Sequence, residues 1–223
     1  FPSSIKKCHY GDSECMRDTA TNIIKNFPKG VEEINLESID PMLYEKVDLK
    51  RTSGGLNLQL NLRNLTVYGF SRAKILQVEG FTKDPTNLYI HYTLDKIKVI
   101  GDYKMRGQIL LFPMSGEGKF NNTMLNWDFH WNATVKLIEE GNEKYLKLLK
   151  YRNQFTTTRM SFYFNNLFDG DQALGNSANE FFNQNWKLFY DEMKPLMFKF
   201  SGKFFSSLVM QPFSKIPYKH LFL

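Results

Sequence analysis

Leu125-Asn126-Trp127-Asp128-Phe129-His130-Trp131-Asn132-Ala133-Thr134-Val135-Lys136-Leu137 alternates without interruption between apolar and polar side chains. A period of two is the repeat of an extended strand, whose successive side chains point to opposite faces. The run therefore predicts one long strand that buries Leu125, Trp127, Phe129, Trp131, Ala133, Val135 and Leu137. The other face carries Asn126, Asp128, His130, Asn132, Thr134 and Lys136, as expected for an antiparallel sheet with one face in water.

Outward from this run the same alternation recurs. Leu88, Ile90, Tyr92 and Leu94 form one set, and Thr156, Thr158, Met160, Phe162 and Phe164 another. Leu56, Leu58, Leu60 and Leu62 share a face, and after Asn64 the phase flips to Leu65 and Val67, which predicts a bulge or sharp bend there. Turn residues punctuate this period from about Val31 to Asn165, and Asn165 to Gly175 is turn-rich. The two ends are helical in pattern. Met16, Ala20, Ile23, Ile24 and Phe27 define a short amphipathic helix from about Ser13, stopped by Pro28-Lys29-Gly30. Ala178, Phe181, Phe182, Trp186, Phe189, Met193, Met197, Phe200, Phe204 and Leu208 keep one broad apolar stripe from a cap at Asn176 or Ser177 to about Met210. Pro195 is expected to kink that helix, and Pro212 and Pro217 to end it. The fold class predicted is α+β: one domain over 1–223, with a tethered N-terminal helix (1–30), a curved sheet (31–165) and a long helix (176–210).

The 223 residues are 42% apolar and 23% charged with a mean hydropathy of −0.40, the composition of a folded soluble domain with a sizeable core. No stretch approaches the roughly 18 uninterrupted apolar residues of a membrane-spanning helix. The chain begins at Phe1 with no positive-then-apolar leader, the start expected of a mature chain whose targeting peptide has been removed. The net charge of +6 comes from 29 basic and 23 acidic residues scattered along the chain, a solvated surface rather than a nucleic-acid footprint. Cys8 and Cys15 are the only cysteines and read as one short disulfide of a secreted protein, worth roughly 2–3 kcal/mol of unfolded-state restriction. Asn64, Asn121 and Asn132 open N-x-S/T sequons, and Asn132 falls on the polar face of its strand.

Catalytic and metal patterns are absent from the sequence. There is no G-x-S-x-G elbow and no H-E-x-x-H, and His9, His91, His130 and His220 stand in unrelated settings. Gly116-Glu117-Gly118-Lys119 lacks the rest of a phosphate loop and reads as a hairpin turn. Cys8-His9 with Cys15 offers three soft ligands at most, and Glu32-Glu33 and Glu139-Glu140 point apart when extended. No enzyme activity, cofactor or metal is expected. The abundance of Phe, Tyr and Met suits a packed core and a lipid tunnel equally well.

Several motifs resemble takeout-type members of the insect haemolymph juvenile hormone-binding protein family over nearly the whole chain. They are the Cys8…Cys15 pair, Asn64-Leu65-Thr66-Val67-Tyr68-Gly69, and the glycine-bounded hairpin from Gly107 to Gly118. The most specific is Asn166-Leu167-Phe168-Asp169-Gly170-Asp171, followed by Phe182-Asn183-Gln184-Asn185-Trp186 and Lys194-Pro195. The second disulfide usual in hormone-binding members is missing, which favours the takeout branch and weakens juvenile hormone itself as the ligand. The resemblance implies a TULIP-like super-roll, in which a strongly curved antiparallel sheet wraps the long helix around an elongated hydrophobic tunnel. It further implies a secreted, monomeric carrier of a small hydrophobic ligand in haemolymph or another extracellular fluid. Face assignment nominates Leu125, Trp127, Phe129, Trp131, Met160, Phe162, Phe164, Phe181, Phe189, Met193, Met197 and Phe200 as ligand-contacting residues. Asn183 and Asn185 are expected to satisfy backbone groups or to pack the helix start. The competing reading is an extracellular interaction protein that presents the aromatic helix or tail to a partner or membrane surface.

Overall fold

The computed structural model describes residues 2–53 and 56–223; the side chain of Leu56, expected inward, lies outside the described set. Helix α1 (Ser13–Asn26) starts from an Asp12 cap whose carboxylate accepts the Cys15 amide at 3.0 Å. The strands are β1 (Met42–Ser53), β2 (Leu56–Tyr68), β3 (Lys74–Glu79), β4 (Asn87–Ile109), β5 (Phe112–Glu140), β6 (Glu143–Thr156) and β7 (Arg159–Phe164). They form one antiparallel sheet ordered β1-β2-β4-β5-β6, with β3 added to β4 and β7 to β5. The sheet begins at Met42 rather than near Val31, because Glu32–Ile34 forms a single 3₁₀ turn.

β4 and β5 are the spine and change neighbours midway. At one end β4 pairs with β2 and β5 with β7; at the other β4 pairs with β3 and β5 with β6. The switch coincides with a break in the β4–β5 ladder, where Leu94 faces Trp127 and the next pair is Lys96 with Leu125. Asn126 adopts φ 48° there. Inward parity flips on both strands: Leu94 gives way to Ile97 and Val99, and Trp127 gives way to Met124 and Phe120. The flip expected at Asn64 occurs by the same device, with φ 50° and a register shift between Arg63 and Thr66. Straight, the 29 residues of β5 would reach about 95 Å. The bulges let it curl instead, so that both halves turn the same apolar face to the helix.

The C-terminal helix starts earlier than the stripe suggested, because Asp171, not Asn176 or Ser177, caps it by accepting the Leu174 amide at 3.0 Å. It is also divided. α2 (Gln172–Gln184) stops at Asn185 and α3 (Trp186–Lys215) follows, running on through Pro195 and past Pro212. Lys187, Asp191, Pro195, Lys199, Lys203 and Ser207 are the exposed positions at four-residue intervals on α3. Each such step overshoots a full turn by about 40°, so the wet seam rotates by about 200° along the helix. α3 is therefore gripped from changing directions, which is what a coiling sheet does. At Gly202 the contact is close enough that a Cβ would lie 2.0 Å from Asn153 Oδ1 and 2.7 Å from Tyr151 Cε2.

α2 is fixed to the edge of β7 by two side chains. Asn179 accepts the Phe164 amide at 2.9 Å and donates to the Phe164 carbonyl at 2.8 Å. Asn183 does the same for Phe162, at 2.9 and 2.7 Å. Four residues of helix rise about 6 Å and two of strand about 6.6 Å, so an i,i+4 asparagine pair can serve alternate residues of an edge strand. Both Asn183 and Asn185 satisfy backbone groups as expected, Asn185 by donating to the Phe181 carbonyl of its own helix at 3.0 Å.

The expected Cys8–Cys15 disulfide is formed. Cys8 also bridges Phe222 in parallel and accepts the Leu223 amide at 3.0 Å, and Tyr10 stacks on Phe222 at 4.7 Å, which ties both ends of the chain together. Gly116-Glu117-Gly118-Lys119 is not a turn. It lies inside β5, where Gly116 faces Met105 and packs so tightly under Tyr103 and Leu167 that no side chain fits; the hairpin turns at Leu110 and Leu111.

Two buried tyrosines give the fold an alkaline limit. Tyr103 donates to the Asn165 carbonyl at 2.7 Å and Tyr190 to the Phe155 carbonyl at 2.8 Å. Burial pushes each hydroxyl up to about 12. The folded state thus holds these protons more tightly than the unfolded chain, whose tyrosines titrate near 10. Their stabilisation is complete below about pH 10 and is lost between there and about 12. Urea midpoints measured from pH 8 to 11.5 should fall above pH 10, and a Tyr103→Phe variant should fall less steeply. Equal slopes would refute the assignment.

Candidate functional site

Between the sheet and α3 the side chains leave two apolar cavities end to end. The first, about 230 Å³, lies under α1. Its walls include Met16, Ala20, Ile23 and Ile24 of α1, Ile75 and Val78 of β3, and Val209 and Phe213 of α3, with Cys8, Leu221 and Phe222 from the tied chain ends. The second, about 150 Å³, lies between β1, β2, β4, β5 and α3 and is walled by residues such as Met42, Leu60, Val67, Ile97, Met124 and Phe200. Spaces of this size lined by aliphatic and aromatic groups accept apolar guests.

The two cavities share Phe70, Phe205 and Leu208 as walls. Phe205 of α3 sits in an aromatic ring of partners: Tyr92 at 5.1 Å, Phe129 at 5.1 Å, Trp131 at 5.7 Å and Phe70 at 6.2 Å between ring centroids. Phe70 is presented by a 3₁₀ turn (Phe70–Arg72). The Asp40 carboxylate holds that turn by accepting the Gly69 and Ser71 amides and the Ser71 hydroxyl. Gly69 is needed at the start of the turn, since its φ is 109° and a Cβ would approach the Lys96 carbonyl.

Polar groups are few. Asn122 and Ser201 reach the second cavity; Ser201 accepts from Asn153 at 3.0 Å and donates to the Phe198 carbonyl at 3.4 Å. One buried acceptor of this wall, Asn122 Oδ1, has no partner, and one buried donor, Trp127 Nε1, faces only the Tyr92 hydroxyl, too far off for a full hydrogen bond. Tyr92 in the same wall is fully enclosed, and burial raises its hydroxyl far above the ordinary value, so it stays neutral.

Of the twelve side chains nominated from the sequence, Trp127, Phe162, Phe164, Met193, Met197 and Phe200 line the second cavity. Phe129, Trp131 and Met160 are fully buried in packed core and wall neither cavity. Trp131 anchors the helix instead, donating to Ser206 Oγ at 2.8 Å. Phe181 and Phe189 join Phe112 and Phe182 in a cluster where α2 and α3 meet the β4–β5 hairpin. Leu125 is 37% exposed on the outer face, because the parity flip at Asn126 falls immediately after it. The first cavity was not foreseen at all. The apolar face of α1 was its sequence signal, legible only as a helix that needs something to cover.

The outer sheet face also departs from expectation. His91 and His130, unrelated in sequence, are cross-strand neighbours with stacked rings 4.0 Å apart. Of the sequons, Asn64 and Asn132 are exposed, while Asn121 is half-buried with its Oδ1 closed off.

A curled antiparallel sheet wrapped on a long C-terminal helix, with apolar cavities strung along the helix, defines the class: a fold built around an internal apolar space. The chain belongs to the haemolymph juvenile hormone binding protein family, whose family model matches residues 1–223. Takeout 1 of Epiphyas postvittana has the same architecture, with 26% identity and a TM-score of 0.79 over 97% of this chain and 98% of that one. The circadian clock-controlled protein daywake of Drosophila melanogaster is 25% identical over 233 residues, and that of Drosophila yakuba 23% over 231; each alignment covers 100% of this chain and 88% of the relative.

Proposed function

We propose that this chain is a secreted carrier that holds one elongated lipid, of terpenoid or fatty-acid type, in extracellular fluid such as haemolymph. The observation that carries the reading is the pair of apolar cavities meeting at a common wall of Phe70, Phe205 and Leu208. Rotation of one or two of these side chains joins them into a tunnel. Binding then draws on about 0.8 kcal/mol per methylene removed from water, less the cost of ordering ligand and side chains. The proposed activity is binding without turnover, and it needs neither a cofactor nor a second chain. Membership of a family described as juvenile hormone binding is in keeping with such a ligand.

Trp127 Nε1 and Asn122 Oδ1 add a polar end. A buried acceptor without a partner, and a buried donor with only a weak one, cost free energy until something pairs with them. A carboxylic acid or hydroxyl group both donates and accepts, so the ligand's head lies in the second cavity and its tail runs toward α1. The test is titration of delipidated protein, by displacement of a fluorescent fatty-acid probe, with acids, alcohols and hydrocarbons of matched chain length, alongside mass spectrometry of co-purified lipid. One-to-one binding is expected, with acid or alcohol preferred over hydrocarbon and the preference reduced by about 1 kcal/mol in Trp127→Phe. A monodisperse delipidated protein that binds no member of the series would sink the carrier reading.

A further inference from the structure

The outer face of the two spine strands carries a group that lipid carriage does not use. His91 of β4 stands directly across from His130 of β5, and Asp128 lies two residues before His130 on the same face. Asp128 Oδ1 is 2.9 Å from His91 Nε2 and 3.0 Å from His130 Nε2. All three ligand atoms fall within 4.8 Å of one another. On the far side of the ring, His130 Nδ1 is 2.8 Å from the Tyr89 hydroxyl.

We propose that His91, Asp128 and His130 form a zinc-class divalent metal site on the outer face of the sheet. Two imidazoles and one carboxylate are a nitrogen–oxygen set that suits zinc and its neighbours rather than magnesium or calcium. Without an ion the separations of 2.9 and 3.0 Å are imidazole–carboxylate hydrogen bonds, and a tetrahedral ion with bonds of about 2.1 Å would open them to about 3.4 Å. Closing the set requires the two imidazoles, stacked 4.0 Å apart, to splay until both Nε2 lone pairs meet one ion, a side-chain movement on paired strands whose register fixes the spacing of the groups. The imidazoles are half-buried, with side-chain exposures of 18% and 31%, which limits their freedom, while Asp128 at 42% leaves an approach from solvent. With metal on Nε2, His130 keeps its proton on Nδ1 and donates it to the Tyr89 oxygen, an outer contact that orients the ligand and raises its basicity. Three protein ligands leave a fourth position for water.

Chelator-treated full-length protein should take up one Zn²⁺ saturably in isothermal titration calorimetry, and Co²⁺ should give a visible absorption band at the same stoichiometry. His91→Ala/His130→Ala should abolish both, while His9→Ala/His220→Ala should leave them unchanged. Tyr89→Phe should weaken Zn²⁺ about tenfold while retaining the Co²⁺ band, a pattern that loss of folding would not produce. Circular dichroism of the metal-free variants checks that each folds. Absence of saturable uptake in folded wild-type protein, or uptake undiminished in the folded double variant, would overturn the site and leave a hydrogen-bonded cluster only.

Discussion

Replacing Phe205 by alanine should lower the free energy of unfolding by about 3–5 kcal/mol, the range for a buried phenylalanine that leaves a cavity behind. Phe205 is only 7% exposed and stacks or abuts edge-on against Phe70, Tyr92, Phe129 and Trp131. Little can collapse into the space, because those partners stand on sheet strands and on a turn pinned by Asp40. The same residue separates the two cavities, so its removal also merges them. Urea denaturation reports the first effect as a lower midpoint at unchanged slope. The chain-length profile of lipid displacement reports the second, with the optimum moving to longer or bulkier ligands in the variant. A midpoint change worth less than about 1 kcal/mol, together with an unmoved optimum, would mean that Phe205 is not the partition. If the variant is too unstable to handle, Phe205→Leu keeps most of the volume and tests the ligand profile alone.

The next largest effect is expected at the α2–β7 seam. Each of Asn179 and Asn183 supplies both an acceptor and a donor to one β7 residue, and nothing else on that edge replaces them among the described residues. Truncation strands a half-buried amide and carbonyl, at about 1–3 kcal/mol per site, and the Asn179→Ala/Asn183→Ala pair should lose about 2–6 kcal/mol. Asn→Asp separates the two halves of the interaction, because a carboxylate still accepts the amide proton but repels the carbonyl. Hydrogen exchange should show the Phe162 and Phe164 amides losing protection first, ahead of the β4–β5 ladder. Protection that falls uniformly across the sheet would show that the seam is not a local clamp. Phe162 and Phe164 also wall the second cavity, so a loosened seam is expected to weaken lipid retention as well.

Much of this molecule was present in one dimension. Alternation in Leu88 to Leu94 and in Trp127 to Val135 gave strands and their inner faces, because an antiparallel sheet open to water on one side must alternate. The phase flip at Asn64 announced its own bulge, and two cysteines without competitors left a single pairing. Six of the twelve nominated residues wall the second cavity, Trp127, Phe162 and Phe164 from strand alternation and Met193, Met197 and Phe200 from the helical stripe. The failures are equally physical. Leu125 continues the alternation perfectly in sequence, yet the bulge that turns it outward is set by where β5 exchanges β7 for β6. Periodicity cannot report that exchange. The start of α2 was misplaced because a cap is chosen by backbone geometry among several capable residues, and Asp171 outcompeted Asn176 and Ser177.

What the sequence determined by itself is therefore local: which residues face inward on each strand, where helices are amphipathic, which family's motifs stand in which order. Tertiary structure alone decided which inward residues touch one another and which face empty space. Phe129 and Trp127 are two positions apart on one face, yet one is packed core and the other walls a cavity. Phe129 is covered by Phe205 of α3, whereas Trp127 stacks on Phe155 and borders the space beside Met197. The same holds for His91 and His130, separated by 39 residues of chain and brought into contact by the β4–β5 register. Burial pattern is written into a strand by its own period, whereas voids and clusters are properties of distances between elements that no single element encodes.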